Sequence, residues 1–217
     1  MKKNHLLLDT IFPHQCVGCG KYDVLMCPDC VAKNMAVETI SLKDKQPNFG
    51  DLITLGEYRN PFWRKAVAAL KFSYLTEIAD SLAIIFAGVL AQANWDLNQA
   101  IIIPIPLHKT RERERGFNQS AVISEKISAI CHIAWDDNLL IKNKKTKSQT
   151  TFSHQKRFAN IASSFSLANT NLDKIKNKTV LLLDDVITTG ATITEAANLI
   201  SQAQPRLIHL LGVARGS

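Results

Sequence analysis

The stretch Thr179-Val-Leu-Leu-Leu-Asp184-Asp185-Val-Ile-Thr188-Thr189-Gly190-Ala191-Thr192 decides how this chain is read. Thr179 to Leu183 is its strongest strand signal, an apolar, β-prone run. Two acids follow, then a loop of small and hydroxyl residues, then a helical pattern from about 190 to 203. In open parallel sheets, ligands sit just beyond the carboxyl ends of the strands. A helix that starts there turns free N–H groups and its positive dipole end towards a phosphate. Thr188, Thr189 and Thr192 add hydroxyl groups, Gly190 lets the backbone come close, and Ala191 keeps the bend small. Asp184 and Asp185 cannot bind phosphate. They can accept hydrogen bonds from a diol such as ribose, or hold Mg²⁺ through water. Assembled in this order, the parts describe a cradle for a ribose 5-phosphate carrying a further charged group. The plainer alternative is an acid pair that ends a strand and a threonine that caps a helix. A Walker A loop is excluded, because no Gly-Lys-Ser/Thr follows the strand.

The rest of the chain supplies a scaffold for such a site. Expected strands lie at Leu52–Tyr58, at the almost purely apolar 100–105, weakly at Leu139–Lys142, and at Leu207–Val213. Expected helices begin near Pro61, cover about 77–92, and run from Asn118 to about Cys131, with Ala121, Ile123, Ile127 and Ile130 on one face. Strands that alternate with helices and are apolar on both faces indicate a mostly parallel α/β sheet with helices on both sides. Residues 142–160 are polar and basic without hydrophobic period, and read as a long functional or disordered loop. Residues 41–48 read as a polar linker. It separates a small module over 1–40 from the main domain over 41–217.

Four of the five cysteines fall in the first module as Cys16-Val-Gly-Cys19 and Cys27-Pro-Asp-Cys30, seven residues apart. Two C-x-x-C turns can close a tetrahedral thiolate shell with no open position, which makes the ion structural. Gly18 and Gly20 are expected to take positive φ in the first turn, and Pro28 to stiffen the second. The spacer is shorter than in zinc ribbons, so the arrangement reads as two zinc knuckles joined by a short hairpin. Redox dithiols, a Cys₄ iron–sulfur cluster and His14 as a competing ligand are the alternatives to zinc on four thiolates. Cys131, alone in an apolar run, reads as a small buried hydrophobe.

Length and composition bound the function class. The chain has 217 residues, enough for one domain and a small appendage. Its 46% hydrophobic and 21% charged residues exclude a largely disordered protein. A net charge of +7 favours polyanions without choosing among nucleic acid, nucleotides, phosphorylated metabolites and anionic lipid. Leu82–Ala93 is the longest apolar stretch and is too short to span a bilayer. Asp9 breaks the run Leu6-Leu7-Leu8 before it reaches signal-peptide length, so a cytoplasmic protein is expected.

Residues 180–192 resemble the 5-phosphoribosyl-1-pyrophosphate (PRPP) signature of type I phosphoribosyltransferases: four apolar residues, two acids and a Thr-Thr-Gly-x-Thr loop. Two further segments narrow the resemblance. One is Pro106-Leu-His-Lys-Thr-Arg-Glu-Arg-Glu-Arg-Gly-Phe-Asn-Gln119; the other is Gln149-x-x-Phe152-x-x-x-x-Arg157-x-x-Asn160. Together with the C-x-x-C pairs, they look like the ComF/GntX family, over about residues 12–215. Phe152 stands where Leu is expected, a conservative departure.

The resemblance implies a type I phosphoribosyltransferase fold, with Asp184 and Asp185 on the ribose hydroxyls and Thr188 to Thr192 on the 5′-phosphate. It implies PRPP with Mg²⁺ as ligand, a place in nucleotide metabolism, and a role in DNA uptake by natural transformation. Pro106 to Arg111, with Leu107, His108, Lys109 and Arg111, becomes the pyrophosphate loop, and Arg115 a further contact. Lys147 and Arg157 become closing residues of the flexible loop 142–160. For Arg111, Arg113 and Arg115 the alternative is a solvated run neutralised by Glu112 and Glu114. For His108 it is a surface histidine, and for the loop a tether for nucleic acid.

Two functions fit these readings. One is phosphoribosyl transfer to an unknown acceptor. The other is a PRPP sensor, or a competence factor that contacts single-stranded DNA and DNA-uptake or recombination proteins. In the second, Phe62, Trp63 and Phe117 would stack on bases; hydrophobic packing between the zinc module and the core is the alternative use of Phe62 and Trp63.

Overall fold

A computed structural model describes residues 15–44, 46–70, 76–143, 164–168 and 172–216. Lys147, Arg157, His14 and nearly all of the expected loop 142–160 lie outside the described residues.

The elements run α1 (Pro28–Asn34), β1 (Glu38–Ser41), β2 (Phe49–Thr54), α2 (Pro61–Ala69), α3 (Thr76–Gln92), β3 (Ala100–Pro104), α4 (Lys109–Arg115), α5 (Gln119–Cys131), β4 (Ala134–Trp135), β5 (Leu140–Lys142), β6 (Phe165–Leu167), β7 (Thr179–Ile187), α6 (Ala191–Ser201) and β8 (Leu207–Arg215). Six strands form one sheet in the order β1-β2-β8-β7-β3-β4. Only the β1–β2 edge pair is antiparallel; the other neighbours are parallel. β5 and β6 form a separate antiparallel hairpin. The fold is the expected α/β arrangement, a mostly parallel sheet covered on both faces.

Period-two alternation builds that sandwich. Leu181, Leu183, Leu211 and Val213 face a core shared with α2, α3 and α5. Val180, Leu182, Ile208 and Leu210 face a second core closed by α6 and the β5–β6 hairpin. Residues on both faces are buried, so the central strands are apolar at nearly every position. Each such Leu or Ile side chain removed from water contributes about 1.5–3 kcal/mol.

Several expectations are corrected. β7 does not stop at Leu183 but runs through the acids to Ile187, because its ladder with β8 continues as far as Ile187 and Arg215. The strand expected at Leu52–Tyr58 is displaced to Phe49–Thr54, and residues 55–58 follow the end of β8 through single bonds such as Tyr58 N–H to the Arg215 carbonyl (2.7 Å). Residues 42–48 connect β1 to β2, and the Leu42 N–H donates to the Gly50 carbonyl across that turn (2.8 Å). α4 was not expected. It lacks an apolar period and is held by its ends, with His108 as N-cap and Gly116 in the left-handed region as C-cap. Among the described residues, no helix is long and apolar enough to cross a membrane.

Candidate functional site

The carboxyl edge of the central strands carries the site. Asp184 pairs in register with Gly212 of β8, and one residue earlier the Leu183 carbonyl accepts from Ile105 N–H at the end of β3 (2.8 Å). The acid pair therefore lies just beyond the end of β3, in the part of β7 that still pairs with β8. Each carboxylate is steadied by the next backbone amide: Asp185 N–H donates to Asp184 Oδ1 (2.9 Å), and Val186 N–H to Asp185 Oδ1 (2.7 Å). Burial and the charge of Asp185 push the Asp184 carboxyl up to about 8. Two acids so close resist full ionisation, and the pair favours hydroxyl donors or a cation.

The bend Thr188–Gly190 leads into α6. Gly190 has φ +74°, a left-handed conformation that a side chain would strain, and its carbonyl accepts the first helical bond from Thr194 N–H (2.9 Å). Thr188 and Thr189 are exposed; Gly190, Ala191 and Thr192 are half-buried. The Thr189 hydroxyl oxygen accepts weakly from Ala191 N–H (3.4 Å). The structure thus sets a row of small and hydroxyl residues at a helix start, two residues after the acid pair.

Of the residues expected to meet a pyrophosphate, those at 107–115 follow β3 on the same edge of the sheet. Leu107 and His108 are half-buried in the turn after β3, and Lys109 is exposed at the first position of α4. His108 Nδ1 accepts from Thr110 N–H (3.3 Å), so this side chain caps a helix. Arg111 lies close enough to oppose the charge on Lys142. Arg115 Nη1 donates to Gln119 Oε1 (3.0 Å). Asn118 ties this segment to the sheet: its Nδ2 donates to the Ile105 carbonyl (3.1 Å), while its Oδ1 caps α5 at Ser120 N–H (3.1 Å).

Lys142 and Glu195 join the site without having been singled out as site residues. Burial brings the Lys142 ammonium below its usual value, against the pull of Asp184, Glu195 and Asp185. Its Nζ stands 5.2 Å from the Phe165 ring centroid, across the β5–β6 hairpin. Glu195 Oε1 accepts from Ser164 N–H (2.9 Å), linking α6 to the segment that leads into β6. The available signal for Glu195 was its spacing, one helical turn after Ala191 on the same face.

The four cysteines form a second centre. Their Sγ atoms all lie within 4.8 Å of one another, with Cys19 and Cys27 3.7 Å apart. A tetrahedral zinc shell with bonds of about 2.3 Å sets its sulfurs about 3.8 Å apart, so the donors fit a structural zinc ion in type, number and spacing. Cys27 N–H points to Cys16 Sγ (3.4 Å). Against the cost of burial, such backbone donors bring Cys16 down to about 6. Hydrogen bonding to Cys27, together with burial and the neighbouring thiols, pushes Cys30 up to about 12. Thiolates packed this closely need a cation between them.

Of the glycines in the first turn only Gly20 takes positive φ (+75°). Gly18 is needed for a different reason from the one expected: a Cβ there would lie 2.6 Å from Cys30 Sγ. Phe62 and Trp63 are 3% and 0% exposed and pack edge to face, centroids 5.2 Å apart, which leaves no ring face for a base. Of the two uses expected for these rings, hydrophobic packing is the one the structure shows. Cys131 is half-buried against the core.

Residues 114–216 match the phosphoribosyl transferase domain family, a span that includes the acid pair, the threonine bend and α6. This part of the chain is similar to a phosphoribosyl transferase domain. The metal cysteines and the segment 106–113 lie before the matched span. Over a longer stretch the chain is similar to the DNA utilization protein YhgH of Escherichia coli O6:H1, 28% identical over 85% of this chain and 82% of that protein. It is also similar to competence protein F of Haemophilus influenzae, 28% identical over 94% of this chain and 85% of that protein. Among solved structures, the adenine phosphoribosyl transferase of Trypanosoma brucei superimposes with a TM-score of 0.45 and 15% identity, covering 81% of this chain and 73% of that one.

Proposed function

We propose that the phosphoribosyl transferase domain binds PRPP with Mg²⁺ and that the protein serves DNA uptake or utilization. In this reading the Thr188–Thr192 bend and the start of α6 hold the 5′-phosphate, and Asp184 and Asp185 accept from the ribose hydroxyls. Leu107, His108, Lys109, Arg111 and Arg115 line the diphosphate side, and Lys147 and Arg157 approach from the loop 142–160. The observation that carries it is the acid pair near the end of a central parallel strand, followed within five residues by a left-handed glycine and a helix start.

The residues suit Mg²⁺. The carboxylates are hard oxygen ligands whose mutual repulsion a cation relieves, and a bound Mg²⁺ would neutralise charge on the diphosphate. In phosphoribosyl transfer the bond from the ribose C1 to the diphosphate oxygen breaks, its electron pair leaves with pyrophosphate, and a nucleophile bonds to C1. The chain's part is to orient the sugar, hold the leaving anion on its cationic rim, and exclude water. The role in DNA uptake rests on the relatives' names and on the net charge of +7. A cytoplasmic setting belongs to the same reading, as does the division into a zinc module over 1–40 and a phosphoribosyltransferase-like domain over 41–217.

Calorimetric titration with PRPP and Mg²⁺ tests the assignment. Wild type should bind, and a hundredfold excess over Kd should add about 2.7 kcal/mol of stability. Asp185→Asn should lose PRPP binding yet keep its zinc, and unchanged affinity in that variant would overturn the role of the acid. Release of pyrophosphate with candidate acceptors separates an enzyme from a sensor. Salt-dependent gel shifts on single-stranded DNA test the polyanion partner, because binding that is indifferent to salt excludes a basic track.

A further inference from the structure

Gln119 is 1% exposed at the first position of α5, where an apolar side chain would cost nothing in solvation. Its amide is fixed in orientation, since Arg115 Nη1 can donate only to the side-chain oxygen (3.0 Å). That leaves Nε2 turned the other way, fully buried, with no hydrogen-bond partner among the described residues. A buried amide with an orphaned N–H₂ destabilises the fold relative to an apolar side chain of the same shape. Folding therefore does not explain a glutamine here. Its bond to Arg115 does.

The surroundings show what Arg115 is held for. The neighbouring Asn118 bonds the Ile105 carbonyl (3.1 Å), and Ile105 N–H bonds the carbonyl of Leu183, the residue before the acid pair (2.8 Å). Arg115 lies one helical turn after Arg111 and shares its face of α4. Arg111, for its part, acts electrostatically on Lys142 together with Asp184 and Asp185. The Arg115–Gln119 pair thus braces the outer end of a cationic rim whose inner end reaches the acids.

We propose that Gln119 is a positioning residue, whose side-chain oxygen holds the Arg115 guanidinium beside the end of β3 for the diphosphate of the ligand. The inference rests on the PRPP reading given above. It assigns Gln119 no contact with the sugar and no part in folding stability.

The test is a double-mutant cycle on the full chain with zinc bound, read by calorimetry with PRPP, with pyrophosphate and with ribose 5-phosphate, each with Mg²⁺, and by thermal unfolding without ligand. Gln119→Met keeps the shape and removes both polar groups. It should unfold at the wild-type temperature or above, bind PRPP and pyrophosphate about tenfold more weakly, and bind ribose 5-phosphate as wild type does. Gln119→Glu restores an acceptor for Arg115 and should recover the affinity. Arg115→Ala and the double variant Arg115→Ala/Gln119→Met should bind PRPP equally, because the glutamine acts only through the arginine. Additive losses, an equal loss for ribose 5-phosphate, or a lower unfolding temperature in Gln119→Met would each overturn the proposal. If wild type binds none of the three ligands, the PRPP reading itself falls and takes this inference with it; that failure shows before any variant is made.

Discussion

The indole N–H of Trp63 donates to the main-chain carbonyl of Asn34 at 2.8 Å, joining the last residue of α1 to the buried face of α2. The same asparagine uses its side chain twice. Asn34 Nδ2 donates to the Cys30 carbonyl (2.8 Å), and Asn34 Oδ1 accepts from Asn60 Nδ2 (3.1 Å). The cysteine cluster is therefore wired into the helix that closes one face of the sheet, and Trp63 itself is fully buried there.

Metal analysis of purified protein should give one zinc per chain. Stripping it with a chelator should lower the stability by several kcal/mol, on the order seen when structural zinc is coupled to folding, and should shift Trp63 fluorescence towards the exposed range. A chelated protein with unchanged unfolding and emission would show that the cluster carries no structural ion.

Gly18→Ala provides a finer probe of the same centre. The added methyl would lie 2.6 Å from Cys30 Sγ and 3.1 Å from a Phe62 ring carbon, so a ligand or its packing must shift. Zinc affinity should fall about tenfold or more in competition with a chromophoric chelator. Equal affinity would mean the first turn accommodates the methyl without moving the thiolate.

Asp184→Asn should separate stability from binding. The folded carboxyl is raised to about 8, whereas an unfolded aspartate titrates near 3.8. Folding thus takes up a proton between these values, and stability falls as pH rises from about 4 to about 8. Asparagine removes that penalty, so the unliganded variant should be more stable at pH 8 by on the order of 2 kcal/mol, less than the whole shift implies because the group is only half-buried. PRPP binding should be lost at the same time. Denaturant unfolding at pH 5 and pH 8 provides the check: a variant less stable than wild type at pH 8 would contradict the argument.

His209 should set an acid limit to stability. It is 2% exposed and stacks on Trp95 with centroids 3.6 Å apart, and its Nδ1 accepts from Asp51 N–H (3.0 Å). Burial brings it down to about 4. The folded state keeps the ring neutral while the unfolded chain takes up a proton below about 6.5, so stability is lost as pH falls from about 6.5 to about 4. Over that window the loss should be roughly 3 kcal/mol. His209→Gln should lower the stability at pH 7 and flatten this part of the profile; a profile as steep as that of wild type would place the titration elsewhere.

Much of the fold was legible because parallel strands buried on both faces have no freedom in composition. The runs at 100–104, 179–187 and 207–215 are apolar nearly throughout, and the acids break the pattern only at the sheet's rim. α4 was not legible, since Lys109–Arg115 alternates charges and owes its helix to His108 and Gly116 at its ends. Lys142 and Glu195 stand 53 positions apart, and no local pattern connects them. The role of Gly18 was equally hidden, and the choice between packing and stacking for Phe62 and Trp63 stayed open, because each depends on what packs against it.

From its order of residues alone, the chain settled which segments become central strands, where the acid pair and threonine bend stand, and which thiols share a turn. These follow from local chemistry: hydrophobic runs, turn formers and ligand spacing act over a few positions. Only the tertiary structure decided that Lys142 meets the charges of Arg111, Glu195 and both acids, that two aromatic rings pack between the metal module and the sheet, and that Gln119 bonds Arg115 while its Nε2 has no partner among the described residues. Contacts of that kind arise from packing between distant segments, where shape and burial choose the partners.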